Sequence, residues 1–315
     1  PWRGRFGGGT RDLNRLMANS TSVSPASLAQ ACLAVLLTAN ARAKAHMARD
    51  ISSQWRQGKL TRDRQTPDDW PARPNRPDQP QLLPPRDMPR RKMSGPKGRI
   101  AQLHALAHIE LNAIDLAFDM AGRFIAADMP DNFIDDWMRV GADEARHFLM
   151  LSDRLAELGA AYGDLPAHDG LWQAAYDTRQ DLLARLAVVP MVLEARGLDV
   201  TPAMMAKFAA AGDDKSANML NIIYEDEKSH VAIGTKWFLH LCHLRKLDPK
   251  NCFGEKVQAN FQGRLKPPFN VEARTQAGLP ATFYLDLAVD QGGEPGLWLK
   301  KRSKEQGEGL VLPKD

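Results

Sequence analysis

From Arg99 to about Cys242 apolar residues recur at intervals of three and four, no run alternates as a strand would, and turn residues are widely spaced. This pattern predicts long helices. The first runs from about Arg99 to Ala127 and stops at Met129-Pro130; the second opens at Asp131, a candidate N-cap, and closes near Gly159. Each has about 28 residues, or roughly 42 Å at 1.5 Å per residue. A third runs from about Leu171 to Arg196 and ends at Gly197, after which Thr201-Pro202 has the N-cap and N1 pattern of a short helix. A fourth starts near Asp213 and reaches about Leu241. Long helices with one longer, broken crossover predict an all-α fold, a four-helix bundle over residues 99–242.

The flanks read differently. Nine prolines between residues 62 and 98 deny that stretch a long helix or central strand and make it an extended connector. Residues 1–61 form a helical N-terminal extension, with an Ala-rich helix running from Ala26 through Ala41 to Gln57. Residues 243–315 form an irregular C-terminal extension: Lys266-Pro267-Pro268-Phe269 is extended, Val271 to Ala277 is a short helix, and Asp290 to Asp315 reads as a mobile tail.

Composition narrows the class. The 315 residues, 43% hydrophobic and 25% charged, match an ordinary globular chain of one large domain or two modest ones. Cys32, Cys242 and Cys252 make neither a disulfide framework nor a CxxC pair, so a reducing cytoplasm is the default compartment. No apolar run reaches the roughly 18 residues of a membrane span, so no membrane insertion is expected. The nearest run, Ala26 to Ala39, follows Arg3, Arg5, Arg11 and Arg15 and has a signal-peptide look, but helix continuing to Gln57 with polar and basic residues on one side is the stronger reading. The first residue is Pro1 rather than Met.

The net charge of +4 hides an asymmetry. Residues 1–100 hold 19 Lys and Arg against 7 Asp and no Glu, so the rest of the chain carries an acidic excess of 8. Such a basic arm suits RNA, DNA or an acidic membrane, or pairs with the acidic body of its own or a neighbouring chain. It carries no RNA-binding, zinc-finger or helix-turn-helix signature.

The chemistry lies in the bundle. Of eleven glutamates, six fall in the long helices, and two of these begin Glu-x-x-His: Glu144 with His147 on the second helix, Glu227 with His230 on the fourth. Residues at i and i+3 project from one helix face and can reach one metal ion. Chance placement of the same residues gives about 0.3 such pairs. The first and third helices add Glu110 and Glu194, so each helical hairpin presents Glu and then Glu-x-x-His. Four carboxylates and two imidazoles converging in a bundle are the ligand set of a di-iron or di-manganese carboxylate protein. Asp143 and Asp226 precede the two motifs, and each aspartate can accept the free N–H of the imidazole on the facing helix.

Other residues qualify the picture. Pro190, one turn before Glu194, kinks the third helix or invites a bulge. Tyr224, one turn before Glu227, is placed to hydrogen-bond near the site or relay an electron, or to be an ordinary core tyrosine. His104 and His108 are excluded as ligands, since 108 to 110 is about 200° of helix rotation. The loop Ala161 to Trp172, with His168, is either a packed crossover or a cap on a substrate channel. His240, Cys242, His243 and Cys252 have zinc-compatible types but irregular spacing, and ordinary use is expected.

These strings resemble the ferritin-like superfamily and, more closely, its bacterial family called domain of unknown function 455. The resemblance rests on His104-Ala105-Leu106-Ala107-His108-Ile109-Glu110-Leu111-Asn112, Glu144-Ala145-Arg146-His147-Phe148, and Tyr162-Gly163-Asp164 with His168-Asp169-Gly170-Leu171-Trp172. It continues in Val189-Pro190 with Leu193-Glu194-Ala195-Arg196-Gly197-Leu198-Asp199, and in Asp226-Glu227 with His230-Val231-Ala232. It covers about Pro84 to Tyr284. A more distant similarity is to MiaE-type tRNA hydroxylases, which share the Glu-Ala-Arg-His and Glu-Ala-Arg pieces. The resemblance implies the fold and the metal site rather than a substrate.

The expected cofactor is a pair of iron ions, with Mn/Fe or Mn/Mn as alternatives, in an oxidase or hydroxylase that activates O2 or a peroxide. The rivals are a ferroxidase or storage subunit, an RNA-modifying hydroxylase, and a metal-stabilised interaction module. Expected partners are a small-molecule substrate ahead of tRNA and an external electron donor, with a homodimer as one candidate assembly.

Overall fold

Capping explains where the N-terminal helices begin. In the computed structural model, which describes residues 27–62, 65–84, 87–89 and 95–290, α1 (Leu28–Leu37) starts where Ser27 Oγ accepts from Gln30 N at 3.2 Å. The Ala-rich helix does not run on unbroken. Thr38 and Asn40 are extended, and Asn40 Oδ1 accepts from Ala43 N at 2.9 Å to open α2 (Ala41–Arg56). The arginines at 3, 5, 11 and 15 and the tail beyond Asp290 lie outside the described residues.

Both short helices lie against the bundle, whose first long helices are α3 (Gly95–Arg123) and α4 (Asp131–Glu157). Leu28, Ala31, Cys32 and Val35 are buried in one core with Leu111, Ile114 and Phe118 of α3. Ser52 Oγ of α2 donates to Met138 O of α4 at 2.8 Å. The proline-rich connector is tied to α3 by buried charge. Asp115 takes Lys44 Nζ of α2 at 2.5 Å and Arg76 Nη2 of the connector at 2.8 Å. Asp119 takes Trp70 Nε1 at 2.7 Å and Arg185 Nη1 at 2.6 Å. Carboxylates so deep are tolerable only because cations and donors surround them.

The third long helix departs most from expectation. It is α5 (Gly170–Asp177), α6 (Leu182–Val188), a π-helical segment Val189–Glu194, and α7 (Ala195–Ala210). The break after Asp177 is a capping event: Asp181 Oδ1 accepts from Leu183 N and Ala184 N at 2.9 and 3.3 Å, starting α6 afresh. Gly197 does not end the helix, and Thr201-Pro202 lies inside α7 rather than at a new start. Pro202 cannot donate to the Leu198 carbonyl four residues back. Asn270 Nδ2 does so instead, at 3.2 Å, which removes the penalty that would have stopped the helix.

The fourth long helix, α8 (Asp214–Leu244), is capped by Asp213, whose Oδ1 accepts from Ser216 N at 3.1 Å. The segment after Asp248 is more helical than its sequence suggests: α9 (Pro249–Asn260), α10 (Val271–Gln276) and α11 (Ala281–Asp290). Asp248 and Asn270 cap the first two, and buried Arg274 forks onto Asp199 at 2.8 and 2.7 Å, fixing α10 to α7. The result is an all-α bundle; isolated bridges such as Leu82 to Ala167 are the sole β pairings among the described residues. No described helix is long and apolar enough to cross a membrane.

Candidate metal centre

Four elements bring a glutamate to one cavity. On α3, α4 and α8 the apolar stripe forces the interior face, and Glu110, Glu144, His147 and His230 fall on it, each at most 3% exposed. Glu194 arrives differently. Pro190 cannot continue an α-helical ladder, and the chain widens there, with Ala195 N donating to Pro190 O across five residues. Gly234 of α8 permits that widening: a β-carbon there would stand 2.4 Å from Pro190 Cβ. The helices bearing Glu194 and His230 therefore approach closely one turn from each residue. Of the two expectations for Pro190, kink or bulge, the bulge is found.

One ligand atom from each of Glu110, Glu144, His147 and Glu227 lies within 4.8 Å of the others. His147 Nδ1 stands 3.3 Å from Glu110 Oε2 and 3.4 Å from Glu144 Oε2. His230 Nδ1 stands 3.1 Å from Glu144 Oε1 and 3.6 Å from Glu227 Oε1, so Glu144 sits between the two imidazoles. Glu194 is not in the four-residue group but lines the same cavity as Glu110, Glu144 and Glu227. Its Oε2 and Glu227 Oε2 are buried without a hydrogen-bond partner among the described residues.

The electrostatics follow from crowding. Burial, then the neighbouring Glu144, pushes Glu110 well above the usual carboxylate range. Burial, then Glu227 and Glu144, does the same to Glu194, and burial raises Glu227. Against the cost of burial, His230 and His147 hold Glu144 below that range. Both imidazoles are raised despite burial, His147 through Asp226 and Glu110, His230 through Glu144 and Glu227. Without another cation, the cluster keeps protons to limit its charge.

The aspartates stand as a crossed pair. His147 Nε2 donates to Asp226 Oδ2 of α8 at 2.9 Å, and His230 Nε2 lies 3.6 Å from Asp143 Oδ2 of α4. Each imidazole thus turns Nδ1 to the glutamates and Nε2 to the facing aspartate. Arg146 joins the two acids, its Nη2 donating at 2.6 Å to Asp226 and 3.3 Å to Asp143. Although partial burial opposes it, the His147 and Arg146 bonds hold the Asp226 carboxyl at about 2. Sequence reasoning missed Arg146. The residue lies within the Glu-Ala-Arg-His string, but a half-exposed arginine on a helix reads as solvated unless the facing helix's acid is known to be near.

Tyr224 turns its hydroxyl elsewhere, accepting from Asn270 Nδ2 at 3.0 Å. His104 and His108 hold the crossover loop instead of joining the glutamates. Gly163 N donates to His104 Nε2 at 2.9 Å, while His108 Nε2 donates to His168 O at 3.0 Å and its Nδ1 accepts from Tyr162 Oη at 2.9 Å. Burial, and then Arg76, lowers His108 to about 3, so it is neutral. The loop also lines a cavity: Ala167, His168 and Leu171 wall a space of about 290 Å³ that reaches the glutamates. Cys242 and Cys252 are buried free thiols, and no metal-compatible group among the described residues includes them or His240 and His243.

Fold and site together define a helical-bundle protein with a buried Glu/His cluster able to hold metal. The chain belongs to the family described as Protein of unknown function (DUF455), whose model matches residues 37–285, from the end of α1 into α11. It is similar to an uncharacterized protein of Haemophilus influenzae (strain ATCC 51907 / DSM 11121 / KW20 / Rd), 42% identical over 207 residues, which is 64% of this chain and 72% of that protein. No solved structure matches.

Proposed function

We propose that this protein is a non-haem di-iron carboxylate protein of the ferritin-like kind, acting as an oxidase or hydroxylase on O2 or a peroxide. One observation carries the reading: Glu110, Glu144, His147 and Glu227 gather in a buried space, with His230 Nδ1 beside Glu144 and Glu227, Glu194 in the wall of the same cavity, and the outer imidazole nitrogens turned to aspartates. The donor set is all carboxylate and imidazole, which suits iron or manganese and not a thiolate-selected metal. Two divalent cations would neutralise four carboxylates with both imidazoles neutral, relieving the crowding that now raises Glu110, Glu194 and Glu227. Glu110, Glu144 and His147 would hold one ion and Glu194, Glu227 and His230 the other, with Glu144 between both imidazoles. When bound, the metal pair supplies the electrons that reduce dioxygen.

The protein's own residues do the rest. Asp226 and Asp143 fix the tautomers so that the Nδ1 lone pairs face inward. Arg146 holds those aspartates ionised. The apolar wall beside Glu110 and Glu194 disfavours water in the reacting space. That cavity favours oxidation of an organic substrate over iron storage, because a storage site needs only an ion path. An external donor would return electrons between turnovers.

Metal analysis of protein grown with iron and manganese, followed by anaerobic Fe(II) loading and an oxygen pulse, tests the reading. Oxygen consumption that stops after one turnover without reductant is expected. Hundreds of irons retained per assembly would favour storage, and failure to bind either metal would overturn the proposal.

A further inference from the structure

The cavity beside the glutamates has a composition that selects what enters it. Its walls come from α3 (Leu106, Ala113), from α5 (Leu171), from the π segment (Leu193) and from α7 and α8 (Met204, Ile223). At about 290 Å³ it has room for on the order of ten water-sized groups. Ile109, which lines it, is 45% exposed and marks the mouth. Across that region Gln102 of α3 meets Met204 of α7, Nε2 to Sδ, at 3.0 Å.

The charges in the wall are placed unevenly. Glu110, Glu144, Glu194 and Glu227 form one end. Arg196 is the sole cation among the described lining residues, and its Nη1 already donates to Lys266 O at 2.8 Å and reaches Asp199 Oδ2 at 3.3 Å. In the metal-free protein an anion would meet four carboxyl groups and no fully free cation. A nucleobase has polar edges that need partners, and away from the glutamates the wall is mostly aliphatic, while of its polar side chains Gln102 is engaged by Met204 and His108 by Tyr162 and the His168 carbonyl.

We infer that this cavity takes an uncharged, chain-like apolar organic molecule, held with one end against the glutamates. That it is then oxidised there rests on the function proposed above; that it binds does not. The apolar wall makes affinity depend on chain length, about fourfold per buried methylene, until the space is filled.

The test is displacement of 1-aminoanthracene, an uncharged fluorescent probe, from the full-length protein with and without Fe(II). Expected is displacement by n-alkan-1-ols that strengthens by about fourfold per carbon and then levels off, with decanoate at least tenfold weaker than decanol in the metal-free protein. Ala113→Phe, which fills the buried wall, and Met204→Trp, which blocks the half-buried mouth, should each weaken decanol binding tenfold or more while iron content stays unchanged. If Ala113→Phe does not fold, Met204→Trp carries the comparison alone. Displacement that ignores chain length, decanoate binding the metal-free protein as well as decanol, displacement by tRNA, or full decanol affinity in a folded Met204→Trp would each overturn the inference. Decanol binding by a protein that takes up no metal would support the cavity's assignment and overturn the di-iron reading; iron uptake without decanol binding would do the reverse.

Discussion

Replacing each aspartate by asparagine separates the two halves of the centre. The sequence treats Asp143 and Asp226 as equivalent, but the distances do not: 2.9 Å from Asp226 to His147 Nε2 and 3.6 Å from Asp143 to His230 Nε2. The shorter contact is a formed, charge-assisted hydrogen bond, and Asp226 also takes the stronger Arg146 bond, 2.6 Å against 3.3 Å. Loss of such an orienting acceptor lowers metal affinity by about 10- to 100-fold, or about 1.4 to 2.7 kcal/mol. Asp226→Asn therefore falls in that range, because a neutral amide no longer stabilises the His147 N–H or anchors Arg146. Asp143→Asn falls at or below its lower end, about tenfold. Both aspartates are part-exposed, and solvent screening trims each effect. Competition against a chelator at pH 7, with circular dichroism to confirm the fold, reads the two affinities. An Asp143→Asn defect equal to or larger than that of Asp226→Asn would refute the reasoning, as would wild-type affinity in both.

Three further predictions follow from the same geometry. Glu144→Ala should lower metal content by at least one ion per chain by elemental analysis, since Glu144 alone stands beside both imidazoles; full content would remove it from the centre. His147 and His230 are raised above their usual 6.5 and Glu110 and Glu194 above 4.5, so above pH 6.5 the folded metal-free protein holds protons that the unfolded chain has lost. Its stability should fall from pH 6.5 to 8.5 while metal binding strengthens, and a melting temperature that rises over that interval in the metal-free form contradicts this. Lys44→Met should cost about 3 kcal/mol in urea unfolding, the lower end for breaking a buried pair, because Arg76 still faces Asp115; a loss under about 1 kcal/mol would mean the pair is worth no more than a surface one.

The convergence of Glu110, Glu144, His147 and Glu227 is legible in the sequence because helix periodicity alone puts i and i+3 on one face, and the apolar stripe says which face is interior. The long helices α3, α4 and α8 are legible for the same reason. The course of the third is not. Leu171 to Arg196 has helical periodicity throughout, while its break depends on one capping oxygen of Asp181 and its continuation past Pro202 on an amide from Asn270, far along the chain. Buried charge is equally hidden: no sequence pattern marks Lys44, Asp115, Asp119 and Arg185 as interior, and only tertiary pairing accounts for their burial. The cavity is only half legible: the loop Ala161 to Trp172 offers a channel cap as one of two readings, but the apolar walls come from residues that also read as core.

The clasp of α2 and the connector on α3 also governs how the chain can be dissected. Shortening it to begin at Arg99 would strip Asp115 of Lys44 and Arg76 and deprive Asp119 of Trp70, leaving carboxylates in an apolar seam within three turns of Glu110. Such a fragment would differ from the parent by more than its lost basic residues, and weaker RNA binding by it would say nothing about the arm. A cut ahead of Ser27 removes Arg3, Arg5, Arg11 and Arg15 and keeps every partner of Asp115 and Asp119 named above in place.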